Sequence, residues 1–101
     1  MKIKKDKYLR ERGGCAKIIK ISCAKCSSLI FIYQKDGPGW LKRCYLNRII
    51  PLEKYSNIKD IREMKNLACR CGEILGSPIK NKDNRLAFHL IRRKFKRSNY
   101  K

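Results

Sequence analysis

Two pairs of closely spaced cysteines constrain the fold of this chain more than any other feature of its sequence. The first pair is Cys23 and Cys26, separated by two residues; the second is Cys69 and Cys71, separated by one and followed by Gly72. Two short turns that each present a pair of thiolates can meet and supply the four soft ligands of a tetrahedral Zn²⁺. The spacing therefore predicts a structural metal centre that joins two distant parts of the chain.

Length and compartment favour a metal over disulfide bonds. A chain of 101 residues has room for one domain with a thin core, and such domains commonly depend on disulfides or on a metal. The basic N-terminal sequence lacks the apolar run of a signal peptide, and no segment approaches the length of a membrane span. We therefore expect a cytoplasmic protein with reduced cysteines that binds Zn²⁺.

A centre of four thiolates would be structural. It leaves zinc no open coordination position, so the metal would activate no water, although the same ligands also accept iron. Cys15 and Cys44 lie outside the two pairs, and Cys44 stands in the middle of a predicted strand between Arg43 and Tyr45, where a free cysteine is typically a small buried hydrophobic residue. These two residues and His89 are the alternatives if one of the four predicted ligands cannot reach the metal.

Runs of β-branched and aromatic residues predict a mostly β fold. The predicted strands are residues 17–22, 27–34, 40–50, 72–79 and 85–91. The first two flank the first cysteine pair as a hairpin, and the last two form a second hairpin. A helix from Asn84 onward is the alternative to the last strand, because Leu86, Leu90, Ile91 and Phe95 also recur at helical spacing; the clean alternation of Leu86, Phe88 and Leu90 favours the strand.

One short helix is predicted over residues 57–66, where Ile58, Ile61 and Met64 recur three apart behind an Asn57 cap. The expected fold is a small zinc ribbon, made of two knuckle hairpins and this helix, with basic extensions at both ends. The expected divisions are a basic N-terminal arm at 1–14, a zinc-ribbon domain at 15–92 and a basic C-terminal tail at 93–101.

The charge balance predicts a polyanionic partner. The chain has 27 Lys and Arg against 8 Asp and Glu, a formal net charge of +19. Self-repulsion of this size disfavours a compact state, and a phosphate backbone relieves it. No amphipathic basic helix and no lipidation motif points to a membrane surface instead. We therefore expect a nucleic acid as the partner.

Basic and aromatic side chains in the predicted turns and ends are the candidate RNA contacts. These are Lys35, Trp40, Lys42, Arg43, Arg48, Arg85, Arg92, Arg93, Lys94, Lys96 and Arg97, with Tyr33 as a further stacking group. Trp40 could instead belong to the core. The sequence pairs no nucleophile with a base and contains no phosphate-binding glycine loop, so we do not expect an enzyme.

The CAKC and CRCG segments, the KDGPG turn followed by LKRCYLNRI, and the basic ends resemble the small zinc-ribbon proteins of the ribosome. The resemblance covers most of residues 15–92 and is strongest to a lineage-restricted large-subunit protein of bacteria. It implies a monomeric structural constituent of the cytoplasmic ribosome that contacts rRNA and neighbouring ribosomal proteins and has no small-molecule substrate. The alternative is a zinc-ribbon regulator of transcription or translation that binds DNA or RNA polymerase.

Overall fold

The structure, a computed structural model, describes residues 3–50, 55, 57–81 and 83–100. Within them, strands form two antiparallel sheets of four strands each, so the prediction of a mostly β fold is confirmed. In chain order the strands are β1 Ala16–Cys23, β2 Leu29–Asp36, β3 Arg43–Tyr45, β4 Ile49–Ile50, β5 Leu67–Ala68, β6 Ile74–Lys80, β7 Leu86–Leu90 and β8 Phe95–Asn99.

The first sheet has the strand order β4-β2-β1-β8, and its central hairpin contains the first cysteine pair. β1 and β2 pair from Ala16 opposite Asp36, and alternate residues of β1 from Ile19 to Cys23 are buried. β-branched residues favour this arrangement because they pack well on a pleated surface that has one face in the core. The prediction of a hairpin around Cys23 and Cys26 is therefore confirmed.

The C-terminal segment supplies the fourth strand of the first sheet. β8 pairs antiparallel with β1, with Phe95 opposite Cys23 and Asn99 opposite Ile19. The sequence indicates only a basic tail at residues 93–101, because Phe95 is the sole apolar residue of β8. Pairing here depends on backbone N–H and C=O groups, which β1 would otherwise leave exposed at a sheet edge.

The second sheet has the strand order β3-β7-β6-β5, and its β6–β7 hairpin was expected. β6 and β7 pair from Gly76 opposite Leu90 to Lys80 opposite Leu86. The alternative helix from Asn84 is therefore wrong, because the segment bonds across the sheet through its backbone. Asn84 instead has a positive φ of 63° in the connecting turn, a conformation that asparagine tolerates better than most residues.

The predicted third strand, residues 40–50, is divided between the two sheets. β3 pairs with β7 in the second sheet, a 3₁₀ turn follows at Leu46–Arg48, and β4 then pairs with β2 in the first sheet. The turn allows Cys44 and Ile49 to reach the core from different sheets, since both are fully buried. The apolar run predicts extended backbone but does not show where it changes sheet.

The α-helix of the described residues lies in a different place from the predicted one. Residues 57–66 contain only a 3₁₀ turn, Ile61–Glu63, and extended backbone follows it, so the helix prediction for this segment is wrong. A spacing of three also matches 3₁₀ geometry, which has three residues per turn. Helix α1 is instead Lys7–Glu11, in the segment predicted as an arm, and it buries Leu9.

Both sheets contribute to a shared hydrophobic core. Ile19, Ile21 and Phe31 enter it from the first sheet, and Leu75 and Phe88 enter it from the second. Burial of such side chains contributes about 1.5–3 kcal/mol each relative to their exposure to water. Among the helices in the described part of the chain, none is long and apolar enough to cross a membrane.

Candidate metal centre

The two cysteine pairs meet where the sheets adjoin. Cys23 is the last residue of β1, and Cys26 lies in the turn to β2. Cys69 directly follows β5, and Cys71 lies in the turn to β6. All four sulfurs lie within 4.8 Å of one another, although the pairs are far apart in sequence. The structure thus brings together the four cysteines that the spacing predicts.

The distances between sulfurs suit a tetrahedral metal ion. The Sγ atoms of Cys23 and Cys71 are 3.7 Å apart, and those of Cys26 and Cys69 are 3.4 Å apart. Metal–sulfur bonds of about 2.3 Å in a tetrahedron place the sulfurs about 3.8 Å from one another, whereas a disulfide requires about 2.05 Å. The cysteines are also unpaired. The cluster could therefore hold a metal ion.

Backbone hydrogen bonds shape the first turn so that both of its sulfurs face the same side. The N–H of Cys23 donates to the carbonyl of Ser28 at 2.9 Å, and the N–H of Ser27 donates back to the carbonyl of Cys23 at 2.9 Å. Ser27 has a positive φ of 66°, which reverses the chain between the cysteine pair and β2. The turn is thus closed by the backbone and leaves its thiols available as ligands.

Backbone hydrogen bonds also close the second turn, although its two cysteines are separated by one residue and not by two. The N–H of Cys69 donates to the carbonyl of Glu73 at 2.8 Å, and the N–H of Gly72 donates to the carbonyl of Cys69 at 2.9 Å. Gly72 has a φ of 98°, which a residue without Cβ adopts freely. The glycine therefore compensates for the shorter Cys69–Cys71 spacing.

The thiols of the cluster differ in acidity. Hydrogen bonding to the Ser28 hydroxyl, at 3.2 Å from the sulfur, is the main cause that lowers the pKa of Cys26 to about 6. A hydrogen bond from the Cys71 backbone lowers the pKa of Cys69, but burial and the neighbouring sulfurs outweigh it and raise that pKa to about 12. The Cys26 thiol therefore loses its proton at a lower pH than the Cys69 thiol does. A bound cation would displace the remaining protons, which makes metal affinity depend on pH.

The cluster is buried on one side only. Cys23 and Cys69 are buried, whereas Cys26 and Cys71 are exposed. Of the two buried cysteines, Cys23 ends β1 and Cys69 directly follows β5, whereas the two exposed ones lie in turns. A metal ion could therefore reach the cluster from solvent and bind two buried and two exposed thiols.

A carboxylate connects the second turn to the loop between β7 and β8. Glu73 accepts a hydrogen bond from Nζ of Lys94 at 2.6 Å and lies 3.8 Å from Nζ of Lys25. The carbonyl of Lys94 also accepts from the N–H of Ala24 at 3.1 Å, in the first turn. Both cysteine turns thus hold the same segment. The sequence analysis did not predict that Glu73 pairs with lysines next to the cluster, although Glu73 lies two residues after Cys71.

The alternative ligands lie outside the cluster. Cys15 is exposed before β1, and His89 is exposed in β7 opposite Arg43. Cys44 is fully buried in β3 opposite Phe88, and its burial raises the pKa of its thiol far above the usual range. Cys44 therefore behaves as a small core residue, as its place in the middle of a predicted strand indicates.

Two of the predicted RNA contacts, Lys35 and Arg48, are buried, so the structure places them inside the protein and not on its surface. Arg48 is 2% exposed and donates through Nε to Asp36 at 2.7 Å and through a terminal nitrogen to Asp6. Lys35 is 6% exposed and donates through Nζ to the carbonyl of Gly37 at 2.7 Å. The Arg48 guanidinium pairs with two carboxylates inside the protein, and the Lys35 ammonium group donates to a backbone carbonyl.

The other predicted contacts, apart from Tyr33, lie at or near the surface. Arg85 is half-buried between the rings of Tyr8 and Tyr45, with its guanidinium carbon 3.7 and 3.9 Å from the ring centres. Tyr33 is buried, and its hydroxyl accepts from the backbone N–H of Tyr45 at 2.9 Å, so it has a structural role. The exposed members of the set are Trp40, Lys42, Arg43, Arg92, Arg93, Lys94, Lys96 and Arg97.

Comparisons with known proteins leave the function open. This chain matches no protein family, no curated protein and no solved structure. A functional hypothesis must therefore come from the cysteine cluster and from the distribution of charge over the surface.

Proposed function

We propose that this protein is a structural, non-catalytic constituent of the ribosome, located in the large subunit, that binds rRNA through the surface of a zinc ribbon. The observation that carries the proposal is the excess of exposed basic residues around two sheets that a cluster of four cysteines joins. The resemblance of the cysteine pairs, the KDGPG turn and the basic ends to small ribosomal zinc ribbons supplies the ribosomal part.

Zinc is the metal that we assign to the cluster. Four thiolates at nearly tetrahedral separations are a common donor set of structural zinc sites. Held by Cys23 and Cys26 from one sheet and by Cys69 and Cys71 from the other, the ion would cross-link the sheets. Such a cross-link favours the folded chain because the unfolded chain offers no preformed site.

The arrangement of ion pairs supports binding to a polyanion. Of the 8 carboxylates, those of Asp6, Asp36, Asp60 and Glu73 form ion pairs within the described residues. Their cationic partners are Arg48, Arg62, Lys25 and Lys94, so most Lys and Arg residues in the described part of the chain are not in these ion pairs. Phosphates that contact this surface would release counterions, so affinity should fall steeply with salt.

The first test concerns the metal. Native mass spectrometry of the purified protein should find one zinc ion per chain. Cys23→Ser should lose the ion and the folded state, because it removes a buried ligand that ends β1. Cys15→Ser is the matched control, since Cys15 is exposed and lies outside the cluster, and it should retain both. A Cys23→Ser protein that keeps one zinc ion and its fold would contradict the metal assignment.

The second test concerns the ribosome. A cell lysate is sedimented through sucrose gradients at low and high salt, and the protein is followed by mass spectrometry. Comigration with the large subunit that persists in high salt supports the proposal. Retention at the top of the gradient, or comigration with RNA polymerase, refutes it and favours the regulator instead.

A further inference from the structure

A groove lies between the loop at residues 39–42 and the segment at 89–97. Its volume is about 910 Å³, and its apolar floor includes Leu90 and Phe95. Cationic side chains line it, among them Arg92, Arg93 and Arg97, and among the described residues no carboxylate does. The groove therefore combines an apolar surface with a positive electrostatic potential, which suits a ligand that is itself partly apolar and negatively charged.

Trp40 stands at the edge of this groove and is the sole tryptophan of the chain. Its side chain is 83% exposed, so it contributes almost nothing to the core. The guanidinium carbon of Arg92 lies 6.0 Å from its ring centre. An exposed indole next to arginines is the arrangement on which nucleic-acid bases stack, because the ring offers a flat face and the cations bind the adjoining phosphates.

Arg93 occupies a conformation that arginine rarely adopts. The N–H of Lys94 donates to the carbonyl of Ile91 at 3.1 Å, which closes a four-residue turn with Arg93 in third place. Its φ is +74°, and that place in such a turn favours glycine or asparagine when φ is positive. An arginine here is sterically unfavourable, yet it places a cation at the groove. Strained residues of this kind concentrate at binding sites.

The two cysteine turns support this turn directly. Lys94 bonds through its carbonyl to the first cysteine turn and through its Nζ to Glu73, just after the second cysteine pair. Phe95 then pairs with Cys23 as β8 begins. The arginines of the turn are therefore attached to both cysteine turns and to β1, and such attachment lowers the entropic cost of binding a ligand.

We propose that this groove binds an unpaired nucleotide segment of single-stranded RNA, with a base stacked on Trp40 and its phosphates bound by Arg92, Arg93 and Arg97. The inference rests on the proposed function, since it assumes that the protein binds RNA. It adds that the contact requires an unpaired base, because bases inside a duplex already stack on each other and cannot offer a face to the indole. A peptide is disfavoured as the ligand because it would need several acidic groups to match the cations.

Intrinsic fluorescence tests the stacking directly, because Trp40 is the only indole. The zinc-loaded full chain is titrated with a uridine tetranucleotide, with an abasic tetranucleotide that carries the same phosphates, and with a blunt-ended RNA duplex. Binding of each is followed in parallel by anisotropy of a label on the RNA. We expect saturable quenching with the uridine oligonucleotide, little quenching with the duplex, and at least fivefold weaker binding of the abasic oligonucleotide.

Substitutions give a second readout. Trp40→Ala should weaken binding of the uridine tetranucleotide about tenfold and change duplex affinity less than twofold, whereas Trp40→Phe should retain part of the affinity. Tyr100→Ala is the matched control, because Tyr100 is a partly exposed aromatic residue that does not line the groove. Arg93→Gln should lower the slope of log K against log salt by about 0.7, the value for one phosphate contact on a single strand.

The outcomes separate this inference from the proposed function. If RNA binds but Trp40 fluorescence does not change and Trp40→Ala has no effect, the groove is not the binding site and only the general proposal survives. If neither oligonucleotide nor duplex binds at low salt, the RNA-binding function itself is refuted. Equal affinity for uridine and abasic tetranucleotides would overturn the stacking role of Trp40.

Discussion

Asp6 has two structural roles that one substitution can separate. Its carboxylate caps helix α1 by accepting from the N–H groups of Tyr8 and Leu9 at 3.1 and 3.2 Å. It also pairs with the guanidinium of Arg48, which is buried and holds Asp36 on its other side. Asparagine caps helices as well as aspartate does. Asp6→Asn therefore keeps the cap and removes the charge that faces Arg48.

The size of this charge effect follows from the acidity of Asp6. Its hydrogen bond with Arg48 is the main cause that lowers the pKa of Asp6 from 3.8 to about 2. A shift of this size corresponds to about 2 kcal/mol of stability, as an upper figure because the side chain is partly exposed to solvent. Since the folded-state pKa is the lower one, this stability is present above about pH 4 and is lost as the pH falls through about 2.

Urea unfolding, followed by circular dichroism between pH 7 and pH 2, measures the effect. At pH 7 we expect Asp6→Asn to lower the free energy of unfolding by at most about 2 kcal/mol, and the difference from wild type should shrink towards zero near pH 2. Because acid also protonates the thiols and releases a bound metal, the zinc content is measured at each pH and the comparison uses the pH values at which both proteins keep the ion. Asp83→Asn, which neutralises an exposed carboxylate, is the control and should change stability by less than about 0.5 kcal/mol.

The dependence on pH is what tests the reasoning. A loss of stability that stays the same from pH 7 to pH 2 would mean that the Asp6 charge does not stabilise the fold through Arg48. Asp6→Ala adds a further check, since it removes the cap as well. It should cost about 1 kcal/mol more than Asp6→Asn at every pH.

Three further substitutions test the core and the sheets. Cys44→Ala should lower the free energy of unfolding by about 1 kcal/mol in urea titrations and leave the zinc content unchanged in elemental analysis, because Cys44 is buried outside the cluster. Tyr33→Phe should cost about 1–2 kcal/mol by the same titration, since the N–H of Tyr45 loses its acceptor. Gly76→Ala should cost about 1–3 kcal/mol in thermal unfolding, because a Cβ there would lie 2.8 Å from the carbonyl oxygen of His89.

The elements that could be predicted from the sequence are those whose signals are local. The hairpin around Cys23 and Cys26 has β-branched residues on both sides of a short turn, and β7 shows strict alternation. The position of the helix was not predictable in this way. Leu9 is the one buried residue of α1, so the segment has no apolar stripe, and its docking depends on Arg48, which is 42 residues away from the Asp6 cap.

Strand β8 shows the same limit. Its residues read as a basic tail, because backbone pairing with β1 requires no apolar side chains beyond Phe95. Long-range backbone pairing of this kind leaves little pattern in the sequence. Such a strand can be predicted only once it is known that β1 has an edge with unpaired backbone groups.

The chemistry that this chain can offer is readable from its residues alone: two closely spaced pairs of soft ligands and a large excess of positive charge. These are properties of residue types and of short separations along the chain. Which cations lie at the surface, in contrast, depends on how the chain folds. Arg48 is enclosed by two carboxylates, whereas Arg93 is held at the rim of a groove by a turn that both cysteine pairs support. The physical reason is that burial and pairing depend on segments distant in sequence that come together only on folding.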